Sequence, residues 1–301
     1  MNDTPVVGVV GAGQMGRGIA QVAAQAGCEV RLMDTNDAQV GSALVSIAKE
    51  LNRLVSKGKL PDGASDKILG RIHPTRLLTE LGTCEYVIEA AVENTELKLQ
   101  IFREMDQVLA PNTILASNTS SISLTKLAGA TKRPERVIGM HFMNPVPLMK
   151  LVEIVRALQT AEDTYQETCK LSQKLGKTYV TTRDMPGFIV NRMLIPFINE
   201  ACFTLQDGLG TVEDIDEAAR LGLNHPMGPL QLADLIGLDT CLFITEVLQR
   251  EFGEDKYRPS SLLRNYVAAG WLGRKTSRGF YIYSAGKQER PSGRPAPLEK
   301  V

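Results

Sequence analysis

The stretch VVGVVGAGQMG, residues 6–16, decides the fold that we expect for the first half of the chain. Its opening run Val6–Val10 is short, apolar and β-branched, which predicts a buried strand. The glycines Gly11, Gly13 and Gly16 follow at once, and the apolar residues after them recur at helical spacing. A GxGxxG motif alone is weak evidence, but strand, GxGxxG and helix in this order predict a dinucleotide-binding unit. There the first glycine makes the tight turn, the second lets the backbone approach a pyrophosphate, and the third lets the helix pack closely.

A carboxylate stands where such a unit contacts the sugar of its ligand. The run Glu29–Met33 predicts the second strand, and Asp34 follows it, about 20 residues past the glycine motif. A carboxylate at that point accepts hydrogen bonds from the ribose hydroxyls and repels a 2′-phosphate. The sequence therefore favours NAD over NADP, against the alternative of a glycine-rich turn that binds no ligand.

A long insertion follows the second strand. From Asp37 to about Lys57 the apolar residues fall on one side of a helix, and residues 64–69 suggest a further short helix. Because this segment is too long for a plain strand connection, we expect residues 37–71 or so to form an arm that projects from the sheet. The long helix ends in basic residues, among them Lys57. They either hold a phosphorylated substrate tail or simply solvate the helix end, and the sequence leaves both open.

Short polar side chains end a later strand. Runs near residues 86–91 and 113–116 predict two more strands, with a helix from about residue 95 to residue 109 between them. The second run leads into SNTSS, residues 117–121, at the carboxyl end of its strand. Such a run either helps to cap a helix or presents hydrogen-bond donors to a nicotinamide and to a substrate oxygen. Both interpretations stay open on these residues alone.

The stretch HFMNPVPLMKLVE, residues 141–153, holds the best candidates for catalysis. His141 ends one apolar run, the prolines of NPVP force a turn, and Glu153 lies within a second apolar run. A buried carboxylate needs a partner. If the turn brings the two runs side by side, Glu153 can accept a hydrogen bond from one ring nitrogen of His141 and leave the other for proton transfer. The alternative is a core histidine bound to a backbone carbonyl, with the glutamate at a strand edge.

The second half of the chain is predicted to be helical. Strand signals nearly vanish after a last strand near residues 178–182, and apolar residues beyond the linker at 183–187 predict five helices. Asn191 is a polar exception on the first of these helices, either a solvent-facing amide or a donor to a substrate carbonyl. The surplus of apolar surface suggests packing against a second subunit, so we expect a homodimer.

These segments together predict an α/β fold in two domains. We expect a Rossmann-type, mostly parallel sheet domain with a helical arm at residues 1–183, followed by an all-helical domain for substrate binding and dimerisation at residues 184–283. Residues 284–301 contain three prolines and few large apolar side chains, which predicts a disordered tail.

Composition excludes several functional classes. The 34 basic and 34 acidic residues give no net field to attract nucleic acid. The longest apolar stretches are far too short for a membrane span, and the first residues lack the features of a signal or transit peptide, so we expect a cytoplasmic protein. Five scattered cysteines in apolar contexts predict reduced core thiols. None of the three histidines has metal-ligand spacing to another ligand, so no metal is expected.

The motifs taken together resemble one family. GAGQMGRGIA, SNTSS, HFMNPVP with LVE, PGFIVNR, HPMGP and GRKTSRGFY are closely similar to the L-3-hydroxyacyl-CoA dehydrogenases, especially the bacterial 3-hydroxybutyryl-CoA enzymes. The likeness covers nearly the whole chain except the tail. It implies NAD-dependent oxidation of a short-chain L-3-hydroxyacyl-CoA to the 3-ketoacyl-CoA, and the reverse. One departure is Ser277, which stands where the family usually has glycine.

The resemblance also implies roles for individual residues. It makes His141 the general acid/base and Glu153 the carboxylate that orients it, and it places Ser120 and Asn191 on the substrate oxygen. It implies substrate contact for Asn144 and CoA contact for Lys57. With the glycine motif, the expected cofactor-binding residues are Gly11, Gly13, Gln14, Met15, Gly16, Asp34, Glu93, Lys98 and Asn118.

Two other functions fit the same architecture. A gulonate or carnitine dehydrogenase would act on a free hydroxy acid, but the HFMNPVP form of the motif and the basic arm argue against it. A non-catalytic relative, as lens crystallins of this lineage exemplify, would not need the full set of His141, Glu153, Ser120 and Asn191. A direct assay separates these alternatives.

Overall fold

The computed structural model describes residues 4–284 and 287–292 of the chain. The chain forms two compact units that divide between Phe188 and Ile189. The sequence predicts a boundary five residues earlier, within the RDMPG linker at residues 183–187, whereas this linker is part of the first unit. Asp184 explains its attachment, because its carboxylate accepts hydrogen bonds from Ser123 Oγ (2.7 Å) and from the backbone N–H of Leu124 (3.0 Å).

An eight-stranded sheet forms the centre of the first unit. Its strands are β1 (Val6–Val10), β2 (Glu29–Met33), β3 (Ile72–Thr75), β4 (Tyr86–Glu89), β5 (Ile114–Ser117), β6 (Val137–Phe142), β7 (Leu151–Arg156) and β8 (Thr178–Arg183). They lie in the order β3-β2-β1-β4-β5-β6-β7-β8, and every pair is parallel except β6 and β7. The strand order reverses at β1 and β4, which opens a crevice at their carboxyl ends. The predicted Rossmann-type, mostly parallel sheet is confirmed.

Strand β3 was not predicted. It contains Pro74, and it pairs with β2 alone at the edge of the sheet. Proline lacks a backbone donor and is tolerated on an edge strand, where one side of the backbone has no neighbour to bond. A proline in a four-residue run argues against a strand when only the sequence is considered, which is why the periodicity missed it.

Six α-helices accompany the sheet in the described part of the first unit. They are α1 (Gln14–Gln25), α2 (Asp37–Ser56), α3 (Ala64–Leu69), α4 (Thr95–Val108), α5 (Leu124–Ala128) and α6 (Glu162–Lys174). The predicted arm corresponds to α2 and α3, but it does not project freely from the sheet. The buried side chains Val40, Ala43, Ile47 and Leu51 of α2 belong to the same hydrophobic cluster as α1 and the neighbouring strands. An amphipathic helix must bury its apolar stripe, and α2 does so along the body of the unit.

The second unit is mainly helical. Its elements are α7 (Val190–Asp207), α8 (Val212–Gly222), α9 (Pro229–Ile236), α10 (Leu238–Phe252), α11 (Ser261–Ala268), β9 (Tyr281–Ser284) and β10 (Lys287–Pro291). The predicted helices are present, and no helix in the described part of the chain is long and apolar enough to cross a membrane.

The end of the second unit departs from the sequence analysis. Strand β10 pairs antiparallel with β9, so disorder is wrong for Lys287–Pro291 and the unit is not all-helical. Residues 285–286 and 293–301 of the predicted tail lie outside the described residues. Asp234 on α9 anchors the hairpin, because its carboxylate accepts hydrogen bonds from the Phe280 and Tyr281 N–H groups and from the Tyr283 hydroxyl, each at 2.9 Å.

The expectation for the cysteines is confirmed. All five are free and buried: Cys28, Cys84, Cys169, Cys202 and Cys241. Burial raises the pKa of several of these thiols, to about 12 for Cys84 and Cys241. A thiol with so high a pKa carries little thiolate at neutral pH and is a poor nucleophile, so these residues act as small apolar core side chains.

A glycine in the first turn of α1 provides a test of the fold. A Cβ on Gly16 would lie 1.7 Å from the carbonyl oxygen of Gly11, which is backbone and cannot move aside without breaking the turn. We predict that Gly16→Ala lowers the thermal unfolding temperature by at least about 5 °C, the result of several kcal/mol of destabilisation. Gly41→Ala is the matched control, because Gly41 also lies in a helix but nothing surrounds its missing Cβ within 4 Å. Alanine there should raise the unfolding temperature slightly; equal shifts for the two variants would contradict the account.

Candidate active site

The two residues that the sequence singled out for catalysis lie directly opposite each other. In the antiparallel pair β6–β7 the register places His141 beside Glu153, and side chains opposite each other share one face of the sheet. Nδ1 of His141 lies 2.7 Å from Oε2 of Glu153. A carboxylate only accepts hydrogen bonds, so Nδ1 carries the hydrogen and Nε2 is the nitrogen available for proton exchange.

This pair is almost completely removed from water. His141 is 7% exposed and Glu153 is 0% exposed. The ring of Phe188 lies edge-on to the imidazole, with 5.5 Å between the ring centroids. The alternative of a core histidine bound to a backbone carbonyl, with a glutamate at a strand edge, is wrong, because β7 lies between two other strands and Nδ1 meets the carboxylate. His141 can therefore exchange one proton at Nε2 while its ring is held in place and shielded from water.

The turn that joins β6 and β7 is held by a lysine that the sequence analysis missed. The buried ammonium of Lys177 donates hydrogen bonds to the carbonyl oxygens of Val146 and of Met149, the latter at 2.8 Å. Burial lowers the pKa of Lys177. Within the turn, the N–H groups of Leu148 and Met149 both donate to the Pro145 carbonyl at 3.0 Å. A lysine directly before the predicted strand near residues 178–182 was the only sequence signal for this contact, and it did not identify the partner.

The glycine motif forms the turn that a dinucleotide requires. Gly11 has φ +102°, in the left-handed region, and a Cβ on it would lie 2.6 Å from the Ala90 carbonyl oxygen. Gly13 is the N-cap of α1 and faces open space, with nothing within 4 Å of its missing Cβ. Gln14 and Met15 begin α1, whose N-terminal N–H groups favour an anion. The residues present therefore fit a bound pyrophosphate.

Asp34 lies beside this turn. Its Oδ2 accepts a hydrogen bond from the Ala12 N–H (2.8 Å), and its Oδ1 accepts one from the Asn36 N–H (2.9 Å). The carboxylate is thereby fixed at the carboxyl end of β2, half-buried and next to the glycine loop. This is the position from which a carboxylate can accept hydrogen bonds from ribose hydroxyls.

The SNTSS run forms a loop around the carboxylate of Glu93. Oε1 of Glu93 accepts hydrogen bonds from the Thr119 hydroxyl (2.7 Å), the Ser120 N–H (2.9 Å) and the Ser121 hydroxyl (3.0 Å). The Ser120 hydroxyl lies 3.2 Å from the same oxygen. Capping does not explain the run, because the N-cap of α5 is Ser123, which lies beyond it.

The charge of Glu93 is maintained by this environment. Burial alone would raise its pKa, but the Lys98 ammonium and the hydrogen bonds from Thr119, Ser120 and Ser121 outweigh burial, so the pKa of Glu93 lies below its usual range. The loop that presents Ser120 is therefore organised around an ionised carboxylate at neutral pH. Lys98 itself is buried beneath the loop.

Two asparagines connect the site to neighbouring elements. Oδ1 of Asn118 accepts a hydrogen bond from the Phe142 N–H (2.9 Å), which ties the end of β5 to the residue after His141. Oδ1 of Asn144 accepts one from Nε2 of Gln14 (2.9 Å), which ties the turn between β6 and β7 to the start of α1. The family resemblance implies that both asparagines lie near bound ligands, and the structure places them on the edge that holds His141 and the glycine turn.

The last two predicted residues differ in setting. Asn191 lies at the start of α7 and is buried in the chain, so its interpretation as a solvent-facing amide is wrong. Lys57 is the exposed C-cap residue of α2.

A cavity of about 310 Å³ lies between α1, α2 and the turn after β6, and the lining includes Arg17, Arg53 and Asn144.

Comparison with known proteins agrees with this geometry. Residues 6–185 match the family described as 3-hydroxyacyl-CoA dehydrogenase, NAD binding domain, and residues 187–283 match 3-hydroxyacyl-CoA dehydrogenase, C-terminal domain. The chain is 54% identical to 3-hydroxybutyryl-CoA dehydrogenase from Bradyrhizobium diazoefficiens over 93% of this chain and 96% of that protein.

Solved structures give the same result. The (S)-3-hydroxybutyryl-CoA dehydrogenase from Ralstonia eutropha superposes with a TM-score of 0.91 at 51% identity, covering 94% of this chain and 100% of that one. A diketoreductase described as acting on dicarbonyl compounds superposes with a TM-score of 0.83 at 29% identity, with the same coverage. Because both halves match the two domains of a single family, the chain belongs to the 3-hydroxyacyl-CoA dehydrogenases and is an NAD-dependent oxidoreductase.

Proposed function

We propose that the chain oxidises a short-chain L-3-hydroxyacyl-CoA, such as 3-hydroxybutyryl-CoA, to the 3-ketoacyl-CoA and catalyses the reverse reaction. The 2.7 Å contact between His141 and Glu153 is the observation that supports the chemistry most strongly. The relative from Bradyrhizobium diazoefficiens, at 54% identity, supports the choice of substrate.

His141 serves as the acid/base in this proposal. In the direction of oxidation, Nε2 takes the proton of the 3-hydroxyl group while hydride leaves C3. The carboxylate of Glu153 stabilises the imidazolium that forms and keeps the ring in one orientation. In the direction of reduction, the imidazolium returns the proton to the ketone oxygen. Burial of the pair strengthens its attraction, because little water is present to screen it.

Ser120 and Asn191 are proposed to hold the substrate oxygen. A hydroxyl and an amide can both donate to an oxygen whose negative charge grows during the reaction, and such donors act most strongly when they are fixed beforehand. The hydrogen bond from the Ser120 N–H to Glu93 supports this role, since it fixes the backbone of the loop. Asn144 is proposed to contact the substrate as well.

The cofactor site follows the glycine turn. Bound NAD supplies the hydride acceptor of the reaction. We propose that the backbone of Gly11, Gly13, Gln14, Met15 and Gly16 holds the pyrophosphate and that Asp34 holds the adenosine ribose. Glu93, Lys98 and Asn118 are proposed to lie near the bound cofactor.

The CoA tail is proposed to run along α2. The 310 Å³ cavity lies between this helix and the turn that carries Asn144, and Arg17 and Arg53 supply positive charge at its lining. Arg53 forms an ion pair with Glu50 and donates hydrogen bonds to its carboxylate. These hydrogen bonds hold the pKa of Glu50 below its usual range. Lys57, exposed at the end of the same helix, adds a further cation for the phosphates of CoA.

The helical unit is proposed to form a homodimer. A groove of about 520 Å³ on this unit is lined largely by apolar side chains, including Leu209 and Leu223. These two leucines are 78% and 62% exposed in the single chain. Contiguous exposed apolar surface of this kind is typical of a protein interface.

The substrate test compares acyl donors and cofactors in one assay. Oxidation of NADH, followed by its loss of absorbance, should be rapid with acetoacetyl-CoA. It should be at least about 100-fold slower with free acetoacetate, because α2 then has no CoA phosphates to bind. Replacing NADH by NADPH should slow the reaction by a similar factor, because Asp34 then meets a 2′-phosphate in place of a ribose hydroxyl. His141→Asn should lower turnover by about 100-fold or more and leave the affinity for NADH nearly unchanged. Fast reduction of acetoacetate with an inert CoA ester would overturn the substrate assignment and favour a diketoreductase-like activity.

Sedimentation velocity tests the homodimer. The wild-type chain should sediment as a dimer at micromolar concentration, and Leu209→Glu with Leu223→Glu should sediment as a monomer, because buried carboxylates in an apolar interface are costly. Leu158→Glu is the matched control, since Leu158 is 88% exposed but belongs to the first unit. A dimer that survives the double substitution would place the interface elsewhere.

A further inference from the structure

Glu89 is a buried carboxylate to which the proposed reaction gives no role. It ends β4 at the carboxyl edge of the sheet, and it is 0% exposed. Taking a carboxylate out of water is expensive unless it is paired and hydrogen-bonded. The residues that satisfy Glu89 therefore indicate why the chain keeps a charge there.

Three groups from three segments meet this carboxylate. Oε2 accepts a hydrogen bond from the Ser117 hydroxyl at 2.6 Å. Oε1 accepts one from the Ala91 N–H at 2.7 Å and one from the Lys98 ammonium at 2.6 Å. Glu89 and Ser117 are also register partners on β4 and β5. The carboxylate thus joins the ends of two neighbouring strands to the first turns of α4.

Lys98 links Glu89 to Glu93. It is 1% exposed, and its ammonium also lies 3.2 Å from the Ala91 carbonyl oxygen and 3.4 Å from Oε2 of Glu93. Three protein oxygens therefore surround its three N–H groups. In this position Lys98 holds the carboxylate of Glu93 through their ion pair.

Glu93 completes the connection to Ser120. Its other carboxylate oxygen accepts the hydrogen bonds of the Thr119, Ser120 and Ser121 loop. Charge-assisted contacts therefore connect Glu89 to the backbone of Ser120: a hydrogen bond joins Glu89 to Lys98, an ion pair at 3.4 Å joins Lys98 to Glu93, and hydrogen bonds join Glu93 to the loop. Hydrogen bonds to charged groups are stronger than neutral ones, and linked polar contacts polarise one another.

We propose that Glu89 is a positioning residue of the active site. It fixes Lys98, and through Lys98 and Glu93 it fixes the loop that presents Ser120 and Asn118 to the cofactor and substrate. A buried ion pair generally adds little stability compared with apolar side chains of the same size, so a structural purpose alone does not account for the charge. The inference rests on the proposed roles of Ser120 and Glu93.

The test uses Glu89→Gln, which keeps the shape of the side chain and removes its charge. NADH affinity, measured by the fluorescence of bound NADH, should weaken about tenfold, and kcat/KM with acetoacetyl-CoA should fall further, because the loop loses its fixed geometry. The NADH titration does not depend on the substrate, so it distinguishes failure of this inference from failure of the substrate assignment. Wild-type NADH affinity and kcat/KM in Glu89→Gln would overturn the proposal.

Asp106→Asn is the matched control. Asp106 lies near the other end of α4 and forms a partly buried ion pair with Arg133, with 2.8 Å between Oδ1 and Nε. This variant should lose thermal stability as Glu89→Gln does, with NADH affinity and kcat/KM within about twofold of wild type. Equal functional losses in the two variants would show that Glu89 acts through stability alone.

A milder variant covers the case in which Glu89→Gln does not fold. Ser117→Ala removes one hydrogen bond to Glu89 and no charge. It should weaken NADH binding two- to fivefold or so, in the same direction as the stronger variant. Unchanged affinity in Ser117→Ala would contradict the proposal.

Discussion

The antiparallel pairing of β6 with β7 is the constraint on which the active site depends. In a wholly parallel sheet, consecutive strands are joined by long crossovers, and two residues twelve positions apart would not face each other. Here the turn reverses the chain within a few residues, so His141 and Glu153 become register partners with their side chains on one face. The carboxyl edge of the parallel strands then brings the glycine turn, Asp34 and the Ser120 loop to the same side of the sheet.

Several buried charges lie at this edge of the sheet, and we propose that they fix its geometry. Glu153, Glu89, Lys98 and Lys177 are each withdrawn from water, and each is hydrogen-bonded to a segment that ends or turns beside a proposed ligand. A buried, hydrogen-bonded charge resists displacement, because moving its partner would leave it unsatisfied. By the same reasoning, the free protein already holds the groups for the proposed proton transfer at His141 and the proposed contacts at Ser120.

Much of this could be predicted from the sequence where a local pattern determines the outcome. The strand, glycine and helix order around Gly11 fixed the start of the fold, and helical periodicity identified the elements of the second unit. The contact between His141 and Glu153 was predictable because prolines force the turn and a carboxylate in an apolar run needs a partner. The acid/base role of that pair and the roles of the other site residues remain proposals.

Other features depend on contacts that no local pattern contains. Strand β3 is decided by its place at the sheet edge, which Pro74 tolerates, and β10 by its pairing with β9. Glu89 and Lys177 look like ordinary charged residues in the sequence, because their partners are distant along the chain or become neighbours only through strand pairing. The helices of the arm were predicted, but their packing along α1 depends on which surface α2 buries.

The measurement that tests the central claim most directly is a double-mutant cycle on the His141 and Glu153 pair. It requires kcat/KM for NADH and acetoacetyl-CoA in the wild type, His141→Asn, Glu153→Gln and the double variant. If Glu153 acts through the imidazole, its substitution should cost at least about tenfold when His141 is present and less than about twofold when asparagine replaces it. Losses that multiply in the double variant would show that the two residues act independently, and would contradict the dyad.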